Sequence, residues 1–309
     1  MTVPKLSLAA SGLGGRGYVD LWGVNNGKPL VSVTTALKSV GDPSGLIYWS
    51  VEQTVLYSVT HIDDLLNRTE EAGARYLQYV SSKPKNEVLD DPDFNPYNVH
   101  RKVLDDLSNT GDWIHKYIES DLNGLFPDEP QREDHYEMAQ AFQDWRSEHD
   151  VEVLATEATV FGDGFAGTGD FWAKVDGVPM LVDTKSSRKL GNSHIAQLAA
   201  LGSCDTMAVE VSEGTEGAVY HKLTPAVAKQ HGGQVDSWWV ARPTPDFTAY
   251  GVLQVRPADF DRKPGEYIAP FCKLHVVPQK KIDAGFDFFK AGLLACRAES
   301  TLKTLEKED

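Results

Sequence analysis

Gly167-Thr168-Gly169-Asp170 and, further on, Val182-Asp183-Thr184-Lys185 decide how this chain reads. Between the two runs lie Phe171-Trp172-Ala173-Lys174-Val175, an Asp176-Gly177 pair, and Val178-Pro179-Met180-Leu181. Two β-rich runs joined by Asp-Gly predict an antiparallel hairpin, because Asp and Gly tolerate the positive φ of a tight turn. Such a hairpin sets Asp170 beside Asp183. Residues i and i+2 of a strand share a face, so Asp183 and Lys185 project together while Thr184 turns away. Two hard carboxylates on a rigid sheet suit Mg²⁺ or Mn²⁺ better than Zn²⁺, which favours His and Cys. An ammonium beside them is placed to hold a water or a phosphate oxygen. The expected chemistry is metal-assisted phosphodiester hydrolysis. An Asp-x-Lys triplet alone carries little weight, since such triplets recur on solvated strand ends; the surroundings supply the rest.

Those surroundings are an ordinary soluble composition, 41% hydrophobic and 24% charged, in a chain of 309 residues that can bury a substantial core as one large domain or two. No run of about 18 apolar residues occurs, so no membrane span is expected. The stretch from Met1 to Ala10 holds one lysine and a brief apolar patch, which does not read as a signal peptide. Cys204, Cys272 and Cys296 are far apart and odd in number, as expected of buried thiols in a reducing compartment, and they form no zinc or iron–sulfur spacing. Thirty basic against 45 acidic residues leave a formal charge of −15. A polyanion binder normally carries a basic footprint. The composition therefore argues against tight, nonspecific coating of DNA, and any basic contact surface has to be local.

Along the chain, residues 1–30 are Gly-rich. Gly12-Leu13-Gly14-Gly15-Arg16-Gly17 lacks the Gly-Lys-Ser/Thr ending of a P-loop, so a flexible or β-hairpin segment is expected. Val31 to Leu37 reads as an extended segment running into a short helix capped by Ser32 or Thr34. A second helix is expected from Ser44 to about Val59, with the helical pattern continuing over 61–80 through Ile62, Leu65, Leu66, Ala72 and Leu77. Ser81 to Asn98 turns to Lys, Asp, Asn and Pro and reads as a loop. Helix resumes over 99–123, with a break expected at Asn109-Thr110-Gly111-Asp112; beyond it His115 and Glu119 lie one turn apart and can face one ion. Glu133 to His149 is an amphipathic helix and Val151 to Val160 a strand. After the hairpin, Ser193 to Ser203 reads as a helix. Thr206 to Val211, Ala218 to Leu223, Ser237 to Ala241 and Ala249 to Val255 read as strands, and Lys280 to about Leu305 as a C-terminal helix. The expected architecture is one α/β domain, a helical N-terminal portion packed on a mixed sheet.

In order, Gly111 with His115, Glu157, Gly167-Thr168-Gly169-Asp170, Asp183-Thr184-Lys185 and Gln197 resemble the PD-(D/E)XK nuclease superfamily. The likeness is greatest to its RecB-like branch of phage and bacterial exonucleases, which includes the CRISPR adaptation nucleases, and it covers roughly residues 31–205. It implies a restriction-endonuclease-like fold, a mixed central sheet flanked by helices. Residues 1–30 would be an N-terminal extension or hairpin and 31–305 a single nuclease domain, mainly helical over 31–150, with the catalytic sheet and C-terminal helix over 151–305. It further implies that His115, Asp170 and Asp183 bind Mg²⁺ or Mn²⁺, that Thr184 adds its backbone carbonyl, and that Lys185 orients or helps deprotonate the attacking water. Glu157 matches an acid that is either a second-metal or water-mediated ligand, or a structural ion-pair partner. Gln197 matches the Gln of a Gln-x-x-x-Tyr helix that touches the active site or DNA, although Leu201 stands where that pattern has tyrosine. Ser186, Ser187, Arg188 and Lys189 are either phosphate contacts or an exposed turn. The cysteine cluster of the iron–sulfur branch is missing.

The activity so implied is metal-dependent exonucleolytic hydrolysis of DNA with free ends, in recombination, repair or phage replication. The partners implied are DNA and a recombinase or single-strand annealing protein, and the location is cytoplasmic, in the host if the chain is phage-encoded. An endonuclease or flap or adaptation-type nuclease on the same fold, and a silent DNA-binding subunit, are the alternatives.

Overall fold

In the computed structural model of the chain, residues 4–8, 15–41, 44–63, 65–67, 99–260 and 266–305 are described. They form two compact units, Met1–Gly41 with Thr110–Asp309, and Asp42–Asn109. The second contains α2 (Ser44–Thr60) and the first half of α3 (Val99–Leu122). On α2, Tyr48, Val51, Val55 and Leu56 are exposed. The expected helical positions Ala72 and Leu77 and the expected loop from Ser81 to Asn98 lie outside the described residues, as do Gly12 to Gly14.

The larger unit is an α/β structure built on a mixed sheet of eleven strands among the described residues. It opens with a short antiparallel pair, β1 (Ser7–Leu8) and β2 (Gly17–Tyr18), and β3 (Leu30–Ser32) runs straight into α1 (Val33–Lys38). Of the two expected caps Ser32 is the one used: its Oγ accepts the Thr35 N–H at 3.0 Å, satisfying a donor that the first helical turn leaves open. After α3 comes α4 (Glu133–Glu148), whose first turn carries Glu133 and Asp134 and whose last carries Arg146, as the helix dipole favours. β4 (Val151–Gly162), β5 (Phe165–Val175) and β6 (Val178–Lys185) form the heart of the sheet, followed by α5 (Asn192–Gly202) and β7 (Thr206–Val211). The remainder is β8 (Val219–Lys222), α6 (Pro225–Gln230), β9 (Asp236–Pro243), β10 (Ala249–Arg256), β11 (Asp259–Phe260), β12 (Tyr267–Ile268), β13 (Phe271–Val277) and α7 (Gln279–Leu305).

β5 and β6 are the expected hairpin, pairing from Val175↔Val178 to Phe171↔Val182. Asp176 and Gly177 take φ of 51° and 79° at its tip, the left-handed conformation that selects these residue types. β6 then pairs in parallel with β10, Asp183 opposite Val252 and Lys185 opposite Gln254, and β10 pairs with β13. One layer of side chains, including Trp172, Leu181 and Val252, packs with α1, α5 and α7; the other, including Phe171, Val182 and Leu253, packs with α3 and α4. Alternate residues of each strand thus enter opposite cores, which is why these strands are apolar on both faces.

Three local expectations differ from the structure. α3 is continuous through Asn109-Thr110-Gly111-Asp112; the Thr110 hydroxyl donates to Asp134 Oδ2 at 3.1 Å, and packing outweighs the roughly 1 kcal/mol helix cost of a glycine. β13 lies outside the expected set of strands, although Phe271-Cys272-Lys273-Leu274-His275-Val276-Val277 is β-rich. So does α6 among the helices, although Thr224-Pro225 is a cap followed by proline, and the Thr224 side chain accepts from Val227 N–H.

Candidate metal centre

The centre of the sheet has a gap that the sequence motif fills. One edge of β5 is paired with β4 along its length; on the other edge β3 pairs only with Phe165 and Ala166, and β6 only from Phe171 onward. Gly167-Thr168-Gly169-Asp170 therefore spans the opening between two neighbouring strands. The two glycines are there for close packing. A Cβ on Gly167 would stand 2.6 Å from Leu201 Cδ2 and 3.0 Å from Val33 Cγ2, and one on Gly169 would collide with the buried Trp172 ring. Leu201 is thus a core residue against the motif, with no room for a tyrosine ring.

At the far end of the gap Asp170 continues the ladder with its side chain: Oδ2 accepts the Thr184 N–H at 2.6 Å. Continuing the two registers by one step places Asp170 opposite Asp183 on β6 and opposite Glu157 on β4. The three acids form one row across three strands. Glu157 has φ 44°, a conformation costing about 1–2 kcal/mol for a side-chain-bearing L-residue. The distortion re-aims a strand residue, as bulges do: Thr156 Oγ1 reaches Asn123 just past α3 at 3.1 Å, and Glu157 also turns toward that helix.

α3 closes the site. Gly111 lets it approach the chain beyond β6, since a Cβ there would lie 3.1 Å from Ser186 Oγ. His115, one turn on, has Nδ1 3.4 Å from Asp170 Oδ2. One ligand atom from each of His115, Glu157 and Asp170 lies within 4.8 Å of the others. From β6, Lys185 Nζ is 2.6 Å from Asp183 Oδ2 and donates to the Thr184 carbonyl at 3.2 Å. The Lys185 ammonium is thus the partner of this 1%-exposed carboxylate at Oδ2, while its Oδ1 has no hydrogen-bond partner among the described residues.

That crowding sets the electrostatics. Burial, then the negative charges of Asp170 and Glu119, pushes the Glu157 carboxyl up to about 9. Burial likewise raises Asp170 and Asp183, with Lys185 working against it in both. Glu119, one turn beyond His115, is raised by burial and then by Asp170. His115 is pulled down to about 4, first by burial and then by Lys185, so at neutral pH it is an uncharged imidazole. Burial alone would lower Lys185, but Asp183 and Asp170 outweigh it and hold the ammonium above its ordinary range. Such a set is costly as it stands, because buried carboxylates need partners. The carboxylate oxygens suit a hard divalent cation such as Mg²⁺ or Mn²⁺, and the uncharged imidazole of His115 adds a nitrogen ligand of the kind that softer ions favour.

The site opens into a cleft of about 390 Å³ whose walls include Lys5, His115, Lys116, Glu119, Glu157 and Trp239. Six of the seven residues singled out in the sequence thus gather here: His115, Glu157, Asp170, Asp183, Thr184 and Lys185. Gln197 is half-buried on α5 and makes no hydrogen bond to the group among the described residues; on the same helix the His194 imidazole is lowered by burial and then by Lys185. His194 is absent from the residues singled out in the sequence, and its place in the helix's first turn is the only signal that points to it. The Thr184 carbonyl, expected at a metal, accepts from Lys185. No protein-family model matches the chain, and no curated protein matches it.

Proposed function

We propose that this chain is a metal-dependent deoxyribonuclease that hydrolyses phosphodiester bonds from free DNA ends, on a sheet of the restriction-endonuclease-like kind. The observation that carries the reading is the Glu157–Asp170–Asp183 row with Lys185 paired to Asp183 and His115 beside Asp170, of which Glu157 and His115 line a cleft. His115, Glu157, Asp170 and Asp183 would hold Mg²⁺ or Mn²⁺. Bound there, the ion supplies charge neutralisation at the phosphate and a water of lowered pKa.

The chain's own groups do the rest. Asp170 is fixed by the Thr184 N–H, so its carboxylate is aimed before substrate arrives. Lys185, 2.6 Å from Asp183, would orient or help deprotonate the attacking water and stabilise charge on the phosphate. Lys116 and Lys5, the latter paired with Glu210 at 2.6 Å, stand on a cleft wall that also carries Glu119, Glu157 and Glu210, so attraction of the DNA backbone would rest mainly on the bound cation. A cytoplasmic role in recombination, repair or phage replication, beside a recombinase or annealing protein, belongs to the same reading. Linear and covalently closed circular DNA of one sequence, incubated with Mg²⁺, test the end requirement. Loss of the linear form with the circle intact is expected; equal loss of both would make this an endonuclease.

A further inference from the structure

Lys185 is the last residue of β6, and the segment from Ser186 to Arg188 is held in place by side chains of another strand. In the parallel register Lys185 lies opposite Gln254; beyond that point β6 ends while β10 runs on to Arg256. Gln254, 6% exposed, donates from Nε2 to the carbonyls of Ser187 at 2.7 Å and Arg188 at 3.3 Å. Arg256 donates from Nη1 to the Ser186 carbonyl at 2.7 Å and from Nη2 to Asp259 Oδ2 at 2.9 Å. Three successive carbonyls after Lys185 are thus pinned by two residues of the neighbouring strand, in place of the ladder that has ended. The amide of Gln254 is itself oriented. Its Oε1 lies 3.1 Å from His275 Nε2 on β13, and since its NH₂ is spent on carbonyls, His275 must be the donor.

Resting on the nuclease reading above, we propose that Gln254 and Arg256 are positioning residues for Lys185, with His275 locking Gln254. A strand-end lysine leading into a free loop would lose its aim, because the peptide planes on either side of it would rotate. Here the ladder fixes the preceding side and the β10 side chains fix the other. Neither residue needs to touch metal or DNA, and no sequence motif marks either one. A displacement near 1 Å of a catalytic group is enough to cost about 10²-fold in rate.

Kinetics of Mg²⁺-dependent hydrolysis of linear duplex DNA by wild type, Gln254→Leu, Arg256→Met and Arg256→Lys test this, with Mg²⁺ affinity by calorimetry and Tm measured alongside. The expected result is a kcat reduced about tenfold or more in Gln254→Leu and Arg256→Met, with KM and Mg²⁺ affinity within about twofold of wild type and folded transitions retained. Arg256→Lys, which keeps a donor, recovers most of the rate. Unchanged kcat in the folded variants, or a loss that tracks Mg²⁺ affinity, would overturn the positioning role while leaving the nuclease reading in place. Wild type that leaves DNA intact would remove both.

Discussion

Asp183 is a carboxylate almost wholly buried, with the Lys185 ammonium at 2.6 Å on Oδ2 and no hydrogen-bond partner on Oδ1 among the described residues. Leaving it so has a stability cost, which a cation would relieve. Its neighbour Glu157 shows the same tension in its backbone, φ 44°, and in its proton, held up to about 9. The direction of the second effect is fixed by linkage. A carboxyl that keeps its proton in the fold but loses it in the unfolded chain makes stability fall as pH rises. Between pH 7 and 9, with chelator present, the wild-type stability should therefore fall, by at most about 1.4 kcal/mol per pH unit for the one proton, and Tm with it. His115, lowered to about 4, acts only below this window. Glu157→Gln should flatten the slope, and Mg²⁺ in about hundredfold excess over its Kd should add about 2.7 kcal/mol to the wild type. Thermal melts in chelator and in Mg²⁺ measure both, and a slope that Glu157→Gln leaves in place would assign the proton elsewhere.

At the scale of elements, the β5–β6 hairpin is legible in the sequence because its determinants are local: period-two side chains and an Asp-Gly turn. The glycines of Gly167-Thr168-Gly169 are legible as a motif but not as packing, since Trp172, Val33 and Leu201 meet them only in three dimensions. Gly169→Ala should therefore destabilise the protein by about 1–3 kcal/mol by overpacking, read from denaturant melts; a neutral result would mean that the Trp172 ring moves freely. Asp170, Asp183 and Lys185 come from the hairpin and its strand alternation, His115 from its helical spacing to Glu119 together with an ordered likeness, and Glu157 from that likeness alone. Gln254 and Arg256 can come from neither, because parallel pairing of β6 with β10 joins segments far apart in sequence. Gln197 shows the converse. A helix is expected there and found, but the Gln197 side chain makes no hydrogen bond to the acids among the described residues.

At the scale of the whole molecule, the main tension is a formal charge of −15 on a chain read as acting on DNA. Part of it lies at the site, where Glu119, Glu157, Asp170 and Asp183 converge and their carboxyls are raised. The cleft over them presents Lys5 and Lys116. DNA binding should accordingly depend on divalent cation far more than on general attraction, and its salt dependence should be shallow, with few phosphates neutralised. Among the described residues no helix is long and apolar enough to cross a membrane. Whether the acids with Lys185 cut DNA is read from end-labelled linear duplex incubated with Mg²⁺ and wild type, Asp183→Ala or Lys185→Ala protein. Wild type should release labelled nucleotides, chelator should abolish the release, and each folded variant should lose roughly 10²–10³-fold or more. Equal degradation by all three proteins would contradict that role of the acids and Lys185.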